Sequence, residues 1–388
     1  MENLFNYNWE LCKLGKLAEF NPKSNLPEKF EYVDLESVVG TELVGHRLEN
    51  RDSAPSRAQR LAKKNDVFYQ TVRPYQKNNY LFDLPYDNYV FSTGYAQMRP
   101  SGNGYFLLTL VQEEKFVNRV LERSTGTSYP AISSNDLAKL SVRVPADIEE
   151  EQNIGKFFSN LDNLVTLHQR KLDQLKELKK AYLQVMFPVK DERVPKLRLA
   201  DFEGEWEQCK FFDMWEKSSD RNKELKYSSK DVLSVAKMTK NPVERNSSDE
   251  YMKTYNILHY GDIAFEGNKS KDYSFGRFVL NNLQDGIVSH VFIVFKPKVK
   301  MDIDFMKVYI NNEYFMKHHL VKATTKTLMM TTLNVQDMNK QKLRIPSLNE
   351  QERIGKFFKE LDHAITLHQN KLTQLNSLKK SYLQNMFI

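Results

Sequence analysis

The stretch Ile154-Gly-Lys-Phe-Phe-Ser-Asn-Leu-Asp162, followed by Thr166-Leu-His-Gln169 and Leu178-Lys-Lys-Ala-Tyr-Leu-Gln184, occurs in this chain in two closely similar copies. The second copy runs from Ile354 to Phe387 at a constant offset of 200, and 23 of the 34 aligned positions are identical. Two unrelated amphipathic helices would not share so many positions through composition alone. The chain therefore contains an internal repeat with a long period.

Apolar residues in both copies recur with a period of seven. In the first copy Leu161, His168, Leu175 and Tyr182 form one series, and the positions three and four residues further on are mostly apolar. Neither copy contains proline, so each is predicted to be one helix of roughly 34 to 38 residues. A helix this long with one apolar face needs a partner, and the other copy is the most economical one.

We therefore expect the two helices to pair as an antiparallel intramolecular coiled coil. His168 and His368 occupy equivalent positions, where a polar residue that fixes the register is a simpler interpretation than a metal or proton-relay site. The residues predicted to form the seam or to dock a partner are Phe157, Leu161, His168, Leu172, Leu175, Phe357, Leu361, His368, Leu372 and Leu375.

The composition is that of a soluble globular protein. The 388 residues are 40% hydrophobic and 28% charged, which predicts two or three domains. No apolar run is long enough for a membrane helix and the N-terminal residues do not resemble a signal peptide, so we expect a cytoplasmic protein. The two cysteines cannot build a disulfide framework or a four-ligand zinc site. The net charge of +7 favours a polyanionic partner.

The repeat extends beyond the helices. Trp9-Glu-Leu-Cys-Lys13 and Trp206-Glu-Gln-Cys-Lys210 open two modules with the same spacing, and Leu140–Pro145 and Leu343–Pro346 are predicted to be the last strand of each. We predict an α+β protein of two pseudo-symmetric, mostly β modules joined by the two long helices. The predicted boundaries are 1–148 for the first module, 149–187 for the central helix, 188–348 for the second module and 349–388 for the C-terminal helix.

Within the modules, short apolar runs bounded by Gly, Pro, Asn and Asp predict strands. Those with an equivalent in the other module are Asn65–Tyr69 with Gly261–Phe265, and Phe91–Pro100 with Val288–Pro297. Helices are predicted around Phe116–Arg123 and at Asp304–Val321.

The sequence lacks the motifs of several enzyme classes. It has no phosphate-binding glycine loop, no paired Cys-x-x-Cys and no Asn-Pro-Pro-Tyr/Phe tetrapeptide typical of amino-methyltransferases. Asp262, Glu266 and Lys269 could hold a magnesium ion in a nuclease. The first module does not repeat that carboxylate pair, because it has Gln70 where the second module has Glu266. We therefore predict no catalytic residue and no metal or cofactor on this chain.

Basic and polar residues in loops are the positive functional signal. Eight basic residues and three acidic ones lie between Arg47 and Lys77. Arginine and glutamine can read base edges, and lysine can hold phosphates. Equivalent polar loops occur in both modules. The predicted DNA-binding residues are Arg47, Arg57, Arg60, Lys63, Arg73, Tyr75, Gln76, Lys77, Thr127, Ser128 and Tyr129 in the first module, and Asn268, Lys269, Lys271, Lys322, Thr325 and Lys326 in the second.

A module followed by a Gly-Lys-Phe-Phe…Leu-Asp…His-Gln…Leu-Lys-Lys-x-Tyr-Leu-Gln helix, repeated once, resembles the specificity subunit of type I restriction-modification enzymes. The Trp-Glu starts and the pairs Glu151-Gln152 and Glu350-Gln351 add to the resemblance, which spans the whole chain. It implies two target recognition domains that each read half of a split sequence in double-stranded DNA, without catalysis.

The resemblance also implies partners. The helices would act as a fixed spacer and as the docking surface for two methyltransferase subunits, with two restriction and translocase subunits in the full complex. S-adenosylmethionine, ATP and magnesium would then bind to those partner chains. Two alternatives remain open at this point: a duplicated helical adaptor for protein partners that does not bind DNA, and a magnesium nuclease at Asp262 and Glu266.

Overall fold

The computed structural model describes residues 8–190, 192–241, 248–268, 270, 272–326 and 330–387. The chain divides into two compact units. The first unit comprises residues 1–169 and 370–388, and the second comprises residues 170–369. Each unit thus contains one globular module, the first part of one long helix and the last part of the other.

The first module is a mixed α+β domain. Its helices are α1 (Gly104–Gln112), α2 (Glu114–Glu122) and α3 (Ser134–Ala138), and the long helix α4 (Ile148–Val185) follows. Its strands are β1 (Trp9–Lys13), β2 (Ala18–Phe20), β3 (Lys29–Val33), β4 (Val38–Val39), β5 (Glu42–Leu43), β6 (Arg47–Asn50), β7 (Ala58–Leu61), β8 (Val67–Gln70), β9 (Tyr80–Leu81), β10 (Tyr89–Ser92), β11 (Tyr95–Pro100) and β12 (Ser141–Pro145).

Two four-stranded sheets form the body of the first module. Their strand orders are β2-β11-β8-β9 and β6-β3-β10-β7, and β3 and β10 are parallel while the other neighbours are antiparallel. Strand β8 is buried on both faces. On one face Phe68 stacks on Phe91 of the other sheet with ring centroids 3.7 Å apart, and on the opposite face Tyr69 meets Phe116 of α2 at 6.0 Å. The sheet of β8 therefore lies between a helical layer and the second sheet.

The second module also combines helices with a four-stranded sheet, and its other described strands form two-stranded pairs. Its helices are α5 (Phe211–Met214), α6 (Asp249–Met252), α7 (Ile303–Asn311), α8 (Glu313–Ala323) and α9 (Val335–Asn339), and the long helix α10 (Leu348–Met386) follows. Its strands are β13 (Glu207–Lys210), β14 (Trp215–Lys217), β15 (Leu233–Ser234), β16 (Thr239–Lys240), β17 (Asn256–Leu258), β18 (Ile263–Glu266), β19 (Arg277–Leu280), β20 (Gly286–Val288), β21 (Ile293–Pro297), β22 (Thr324–Lys326), β23 (Thr331–Leu333) and β24 (Lys342–Ile345).

The central sheet of the second module has the order β14-β21-β18-β19. Strand β18 is again buried on both faces, with Phe265 in the larger core cluster and Ala264 in a smaller one. In both modules the opening strand pairs with the closing one, β1 with β12 and β13 with β24. This pairing brings the start of each module to the strand that leads into its long helix.

The long helices contact each other within each unit and run in opposite directions. In the first unit Phe157 meets Tyr382 with ring centroids 4.9 Å apart, and Asp162 bonds Lys379 at 2.5 Å. The second unit contains the equivalent ring pair, Tyr182 with Phe357 at 5.0 Å. It also contains the equivalent ion pair, Lys179 with Asp362 at 2.5 Å. Rising numbers on α4 meet falling numbers on α10, which defines an antiparallel pair.

Burial along α4 follows the predicted seven-residue period. Leu161, Leu172 and Met186 are buried, whereas Leu164 and Leu178 are 45% and 44% exposed. Val165 and Leu172, four residues after Leu161 and His168, therefore continue the seam, whereas Leu164, Lys171 and Leu178 are exposed. At the end of the helix Val185 and Met186 pack against the core of the second module. The predicted α+β fold with two long helices is confirmed.

A tryptophan joins each module to the helices of its own unit. Trp9 meets Phe387 edge to face at 5.8 Å and donates to Glu150 at 3.2 Å. In the second unit Trp206 donates to Glu350 at 3.3 Å, and Arg198 bonds the same carboxylate in a bidentate manner. The Trp-Glu spacing therefore reflects a repeated structural anchor.

Three details of the predicted secondary structure are wrong. Phe91–Pro100 was predicted as one strand, but the chain reverses at Thr93-Gly94 to form β10 and β11, and Val288–Pro297 is similarly divided between β20 and β21. The helix predicted at Asp304–Val321 breaks at Asn312, whose side chain caps α8 and donates to the Leu183 carbonyl. Helix α1 was not predicted. Among the described residues, no helix combines the length and the apolar character that a membrane span requires.

Candidate nucleic-acid interface

In the first module, the segment after β8 forms a tight, well-anchored loop. Arg73 adopts the left-handed conformation with φ of 54° and precedes a short 3-10 helix, Pro74–Gln76. The buried Gln70 side chain donates to the Val72 carbonyl at 2.7 Å and to the Gln76 side chain at 2.9 Å. Because the Gln70 side chain hydrogen-bonds this loop, the loop backbone is fixed and its exposed side chains start from defined positions.

A second loop, residues 124–131, lies directly against the first. Val72 and Thr125 both form bridges to Ala131, and the Arg73 amide donates to the Pro130 carbonyl at 2.7 Å. The Arg73 guanidinium lies over the Tyr129 ring, 4.4 Å from its centroid. The structure thus brings together two loops that are 50 residues apart in sequence, and we call them the paired loops of the first module.

The outer side chains of the paired loops are accessible. Tyr75 is 50% exposed and Tyr129 is 62% exposed, and Gln76, Thr127 and Ser128 are also exposed. Glutamine and hydroxyl groups can hydrogen-bond base edges or phosphates, and the aromatic rings offer flat surfaces for sugar or base contacts. The paired loops therefore combine base-reading and backbone-holding chemistry on one surface.

Lys77 is placed differently from the other predicted residues of this loop. Its ammonium group is paired with Glu114 at the start of α2, and its carbonyl accepts from Gln112 at 3.0 Å. It also adopts a left-handed backbone conformation, with φ of 55°. These contacts favour a role in fixing the end of the loop, because Glu114 already offsets the charge.

The other predicted basic residues of the first module, Arg47, Arg57, Arg60 and Lys63, lie on or next to strands β6 and β7 of the other sheet. Arg47 on β6 is bonded to Asp34 at 2.7 Å and to Glu49 at 2.8 Å, and these two carboxylates raise the pKa of its guanidinium. Arg57 and Lys63 are exposed and Arg60 is half-buried. No hydrogen bond or ring contact among the described residues joins these four side chains to the paired loops.

The second module has an equivalent pair of loops. Asn268, which follows β18, forms a bridge to Met330, and the Thr331 amide donates to the Gly267 carbonyl at 2.8 Å. This bridge corresponds to the one between Val72 and Ala131. Thr325 and Lys326 lie on β22, and Lys322 lies at the end of α8. The other two predicted residues, Lys269 and Lys271, lie outside the residues that the structure describes.

Cation–aromatic contacts beside these loops were not predicted from the sequence. The Lys326 ammonium lies 3.8 Å from the centroid of the Phe275 ring. The Arg277 guanidinium lies 4.7 Å from the Tyr273 centroid and bonds Glu266 at 2.7 Å. The signal that could have revealed them is the segment Tyr273-Ser-Phe-Gly-Arg277, in which two aromatic residues at alternate positions precede an arginine.

The two equivalent aspartates have structural roles. Asp66 accepts from Arg99 through both carboxylate oxygens at 2.8 Å and from the Gln97 side chain at 2.7 Å. Asp262 accepts from the His259 amide at 2.9 Å, and burial raises its pKa to about 6. Within the described residues, no three metal-ligating side chains are grouped closely enough to hold a metal ion. Glu266 is already engaged by Arg277, so this geometry does not favour the nuclease alternative.

The long helices expose leucines outside their seam. On α4, Leu164 is 45% exposed, Leu167 is 62% exposed and Leu178 is 44% exposed. On α10, the equivalent Leu367 and Leu378 are 58% and 43% exposed. Large apolar side chains that recur outside the seam are typical of a surface that binds a protein partner. Of the predicted docking residues, Leu161, Leu172, Leu361, Leu372 and Leu375 are buried in the units, and Phe157 is 37% exposed.

Comparison with known families and proteins gives consistent matches. The family model described as type I restriction modification DNA specificity domain matches residues 6–177 and 203–377. The chain is 25% identical over 195 residues to the type I restriction enzyme HindI specificity subunit of Haemophilus influenzae, which covers 46% of this chain and 41% of that protein. It is 22% identical over 348 residues to the MjaVIII specificity subunit of Methanocaldococcus jannaschii, which covers 83% of this chain and 73% of that protein.

A solved structure has a similar fold. The crystal structure of the S subunit of a type I restriction-modification system from M. genitalium aligns with a TM-score of 0.63 and 13% sequence identity. The alignment covers 100% of this chain and 98% of that one. At this identity the match establishes the fold alone.

Proposed function

The chain belongs to the family of type I restriction modification DNA specificity domains, and on that premise we propose that it reads a bipartite DNA target for partner enzymes. Each module would bind one half of the target through its paired loops. The name of the family implies that its members recognise DNA. The reading of separate half-sites and the docking of partners are our proposals.

The observation that carries this proposal is the repetition of the paired loops. In each module, the segment after the central buried strand is bridged to a second loop, at Val72–Ala131 and at Asn268–Met330. The side chains on these loops differ between the modules, while the strands and helices behind them correspond. Such a scaffold suits the recognition of two different half-sequences, because loop changes leave the core intact.

Partner docking is assigned to the long helices. Their seam residues are used within each unit, and the exposed leucines Leu164, Leu167, Leu178, Leu367 and Leu378 remain available. We propose that two methyltransferase subunits bind this outer face and that two restriction and translocase subunits complete the assembly. S-adenosylmethionine, ATP and magnesium would bind to those partners, and this chain would contribute recognition without catalysis.

Mapping DNA methylation in host cells with and without this chain tests the proposal. The expected result is a set of adenines, methylated only when the chain is present, that lie in a two-part consensus with a fixed gap. An unchanged methylation pattern would overturn the proposal and favour the adaptor without DNA binding. A methylated consensus with one continuous part would contradict the reading of two half-sites.

The same target then permits a direct binding test. Duplexes that contain it should bind the chain, together with the methyltransferase subunit, with an affinity that falls steeply as salt rises, because phosphate contacts release counterions. A duplex with one half-site scrambled serves as the control. Equal affinity for the two duplexes would exclude sequence-specific recognition.

A further inference from the structure

A pocket on the first module lies outside the paired loops. It has a volume of about 590 Å³, and its polar lining residues are Asn21, Lys23, Ser24, Asn25, Gln59 and Arg60. Two of these side chains are cationic, and none of the lining residues carries a carboxylate. The pocket therefore presents positive charge and hydrogen-bond donors without an internal counter-ion.

Arg60 is the unusual residue of this pocket. Its Nε atom is buried and has no hydrogen-bond partner, and burial lowers the pKa of the guanidinium. Arg99 in the same module is also largely buried, yet both its Nε and one terminal nitrogen bond Asp66 at 2.8 Å. A partly buried guanidinium without an anion is costly, so the difference points to an anion that comes from outside the chain.

Hydrogen bonds to β11 fix the backbone of Asn21, another lining residue of the pocket. Asn21 adopts a left-handed conformation with φ of 48°. Its amide donates to the Gln97 carbonyl at 2.8 Å, and its side chain accepts from the Gln97 amide at 3.0 Å. Lys23, Ser24 and Asn25 follow directly and are exposed. The fixed backbone at Asn21 keeps the exposed Lys23, Ser24 and Asn25 side chains beside the pocket, which reduces the entropy lost when they bind an oxyanion.

We propose that this pocket binds a phosphate group of the DNA backbone, with Arg60 as the donor at its base and Lys23 at its rim. The inference rests on the proposed function, because the phosphate belongs to the DNA that the paired loops read. Backbone contacts fix the position of a protein on DNA and carry no base information. The pocket thus contributes affinity for any sequence, whereas the paired loops contribute the choice of sequence.

The test measures binding of the full chain, with its methyltransferase partner, to the mapped target and to a scrambled duplex across a range of salt concentrations. Arg60→Gln is expected to weaken both affinities about tenfold and to reduce the slope of log affinity against log salt by about one. Lys23→Gln, which changes an exposed side chain, should act in the same direction. Arg60→Lys should restore part of the loss because it keeps the charge.

Arg143→Gln is the matched control, because Arg143 is an exposed arginine of the same module on β12. It should leave the affinity and the slope nearly unchanged, and a thermal melt of each variant shows that it is folded. If the wild-type complex binds its target with the usual salt dependence while Arg60→Gln and Lys23→Gln keep that slope, the pocket proposal is overturned and the proposed function stands.

Titration with inorganic phosphate distinguishes a site for the DNA backbone from a site for a free phosphate ion. Competition between inorganic phosphate and the scrambled duplex in the wild type, lost in Arg60→Gln, supports a backbone site. Arg60-dependent binding of inorganic phosphate that leaves DNA affinity untouched identifies a free-anion site and overturns the proposal. Absence of any DNA binding by the wild type is instead a failure of the proposed function.

Discussion

At the scale of single residues, the carboxylates beside an arginine determine whether its guanidinium is free to contact DNA. Arg47 is bonded to two acids, Arg99 is held by Asp66, and Arg73 lies over an aromatic ring beside the exposed tips of the paired loops. Only the last of these three arrangements leaves the guanidinium with its full charge near solvent. Arg73 is also the only arginine predicted on the paired loops, and it is therefore the residue of these loops that we expect to contact a base.

Arg73→Ala should reduce the affinity for the mapped target by about 1–3 kcal/mol and relax the preference at one base position. The physical reason is the loss of a bidentate donor that the Tyr129 ring and the loop backbone hold in place. Competition binding with a library of single-base variants of the target measures both effects. Uniform weakening across the library would show that Arg73 holds a phosphate instead.

The raised pKa of Asp262 predicts that the stability of the fold depends on pH. Burial raises its pKa to about 6, above the ordinary value of 3.8 expected in the unfolded chain. The folded state therefore binds more protons between these two values, so this group stabilises the fold below about pH 4 and loses that contribution as pH rises through 6. Asp262→Asn should remove this part of the pH dependence.

Calorimetric melts of the wild type and of Asp262→Asn between pH 4 and pH 7 test this prediction. The wild-type transition that includes the second module should fall by more than that of the variant over this range. Asp285→Asn is a useful contrast, because a bond from His259 lowers the pKa of Asp285, so its contribution should stay constant over this range and be lost only on further acidification. Parallel curves for wild type and Asp262→Asn would contradict the assignment.

The sequence identifies the basic residues and the equivalent loops. It could not predict which carboxylate pairs with each basic side chain. Arg47 and Arg60 look alike in sequence but differ in the structure, because the pairing of β3 with β6 places Asp34 beside Arg47 and no carboxylate of the described residues pairs with Arg60. Lys77 was predicted as a DNA contact, and its pairing with Glu114 depends on the packing of α2 beside the loop. Such contacts join residues that are distant in sequence, so no local pattern reveals them.

At the scale of elements, the long helices divide their apolar residues between two surfaces. The seam takes the positions that alternate three and four residues apart, and Leu172 is 1% exposed there. Leu167, on the same helix, is 62% exposed. The heptad pattern predicts an apolar stripe that includes the buried Leu161 and Leu172, but the choice between Leu164 and Val165 needed the register of the partner helix. Similarly, the break at Asn312 depends on its contact with the Leu183 carbonyl of α4.

Leu172→Ala and Leu167→Ala form a matched pair that separates these surfaces. Leu172→Ala should destabilise the fold by about 2–5 kcal/mol, because it leaves a cavity in the seam. Leu167→Ala should change stability by less than about 0.5 kcal/mol and weaken the binding of the methyltransferase subunit. Denaturant unfolding and co-purification measure the two effects. Equal losses of stability would show that Leu167 is part of the fold and not of a docking surface.

At the scale of the whole molecule, duplication places the same parts in both units. Each unit joins a module to the start of one helix and the end of the other, with equivalent ring pairs and equivalent Asp–Lys bonds. Each long helix begins in one unit and ends in the other, so both units share it. If the helices act as the fixed spacer that the family resemblance implies, we propose that their length sets the gap between the two half-sites.

Insertion of one heptad after Gln169 in α4, with a matching heptad after Gln369 in α10, should preserve the seam, because seven residues restore its period. The added rise of about 10 Å corresponds to about three base pairs of DNA, so the unspecified gap in the methylated target should lengthen by about that number. Both half-sequences should stay the same, because the paired loops are untouched. Replacement of an existing heptad by one of equal length controls for the change in sequence. A gap that stays constant after the insertion, in a variant that still methylates DNA, would mean that the spacing is set by the partner subunits and not by this chain.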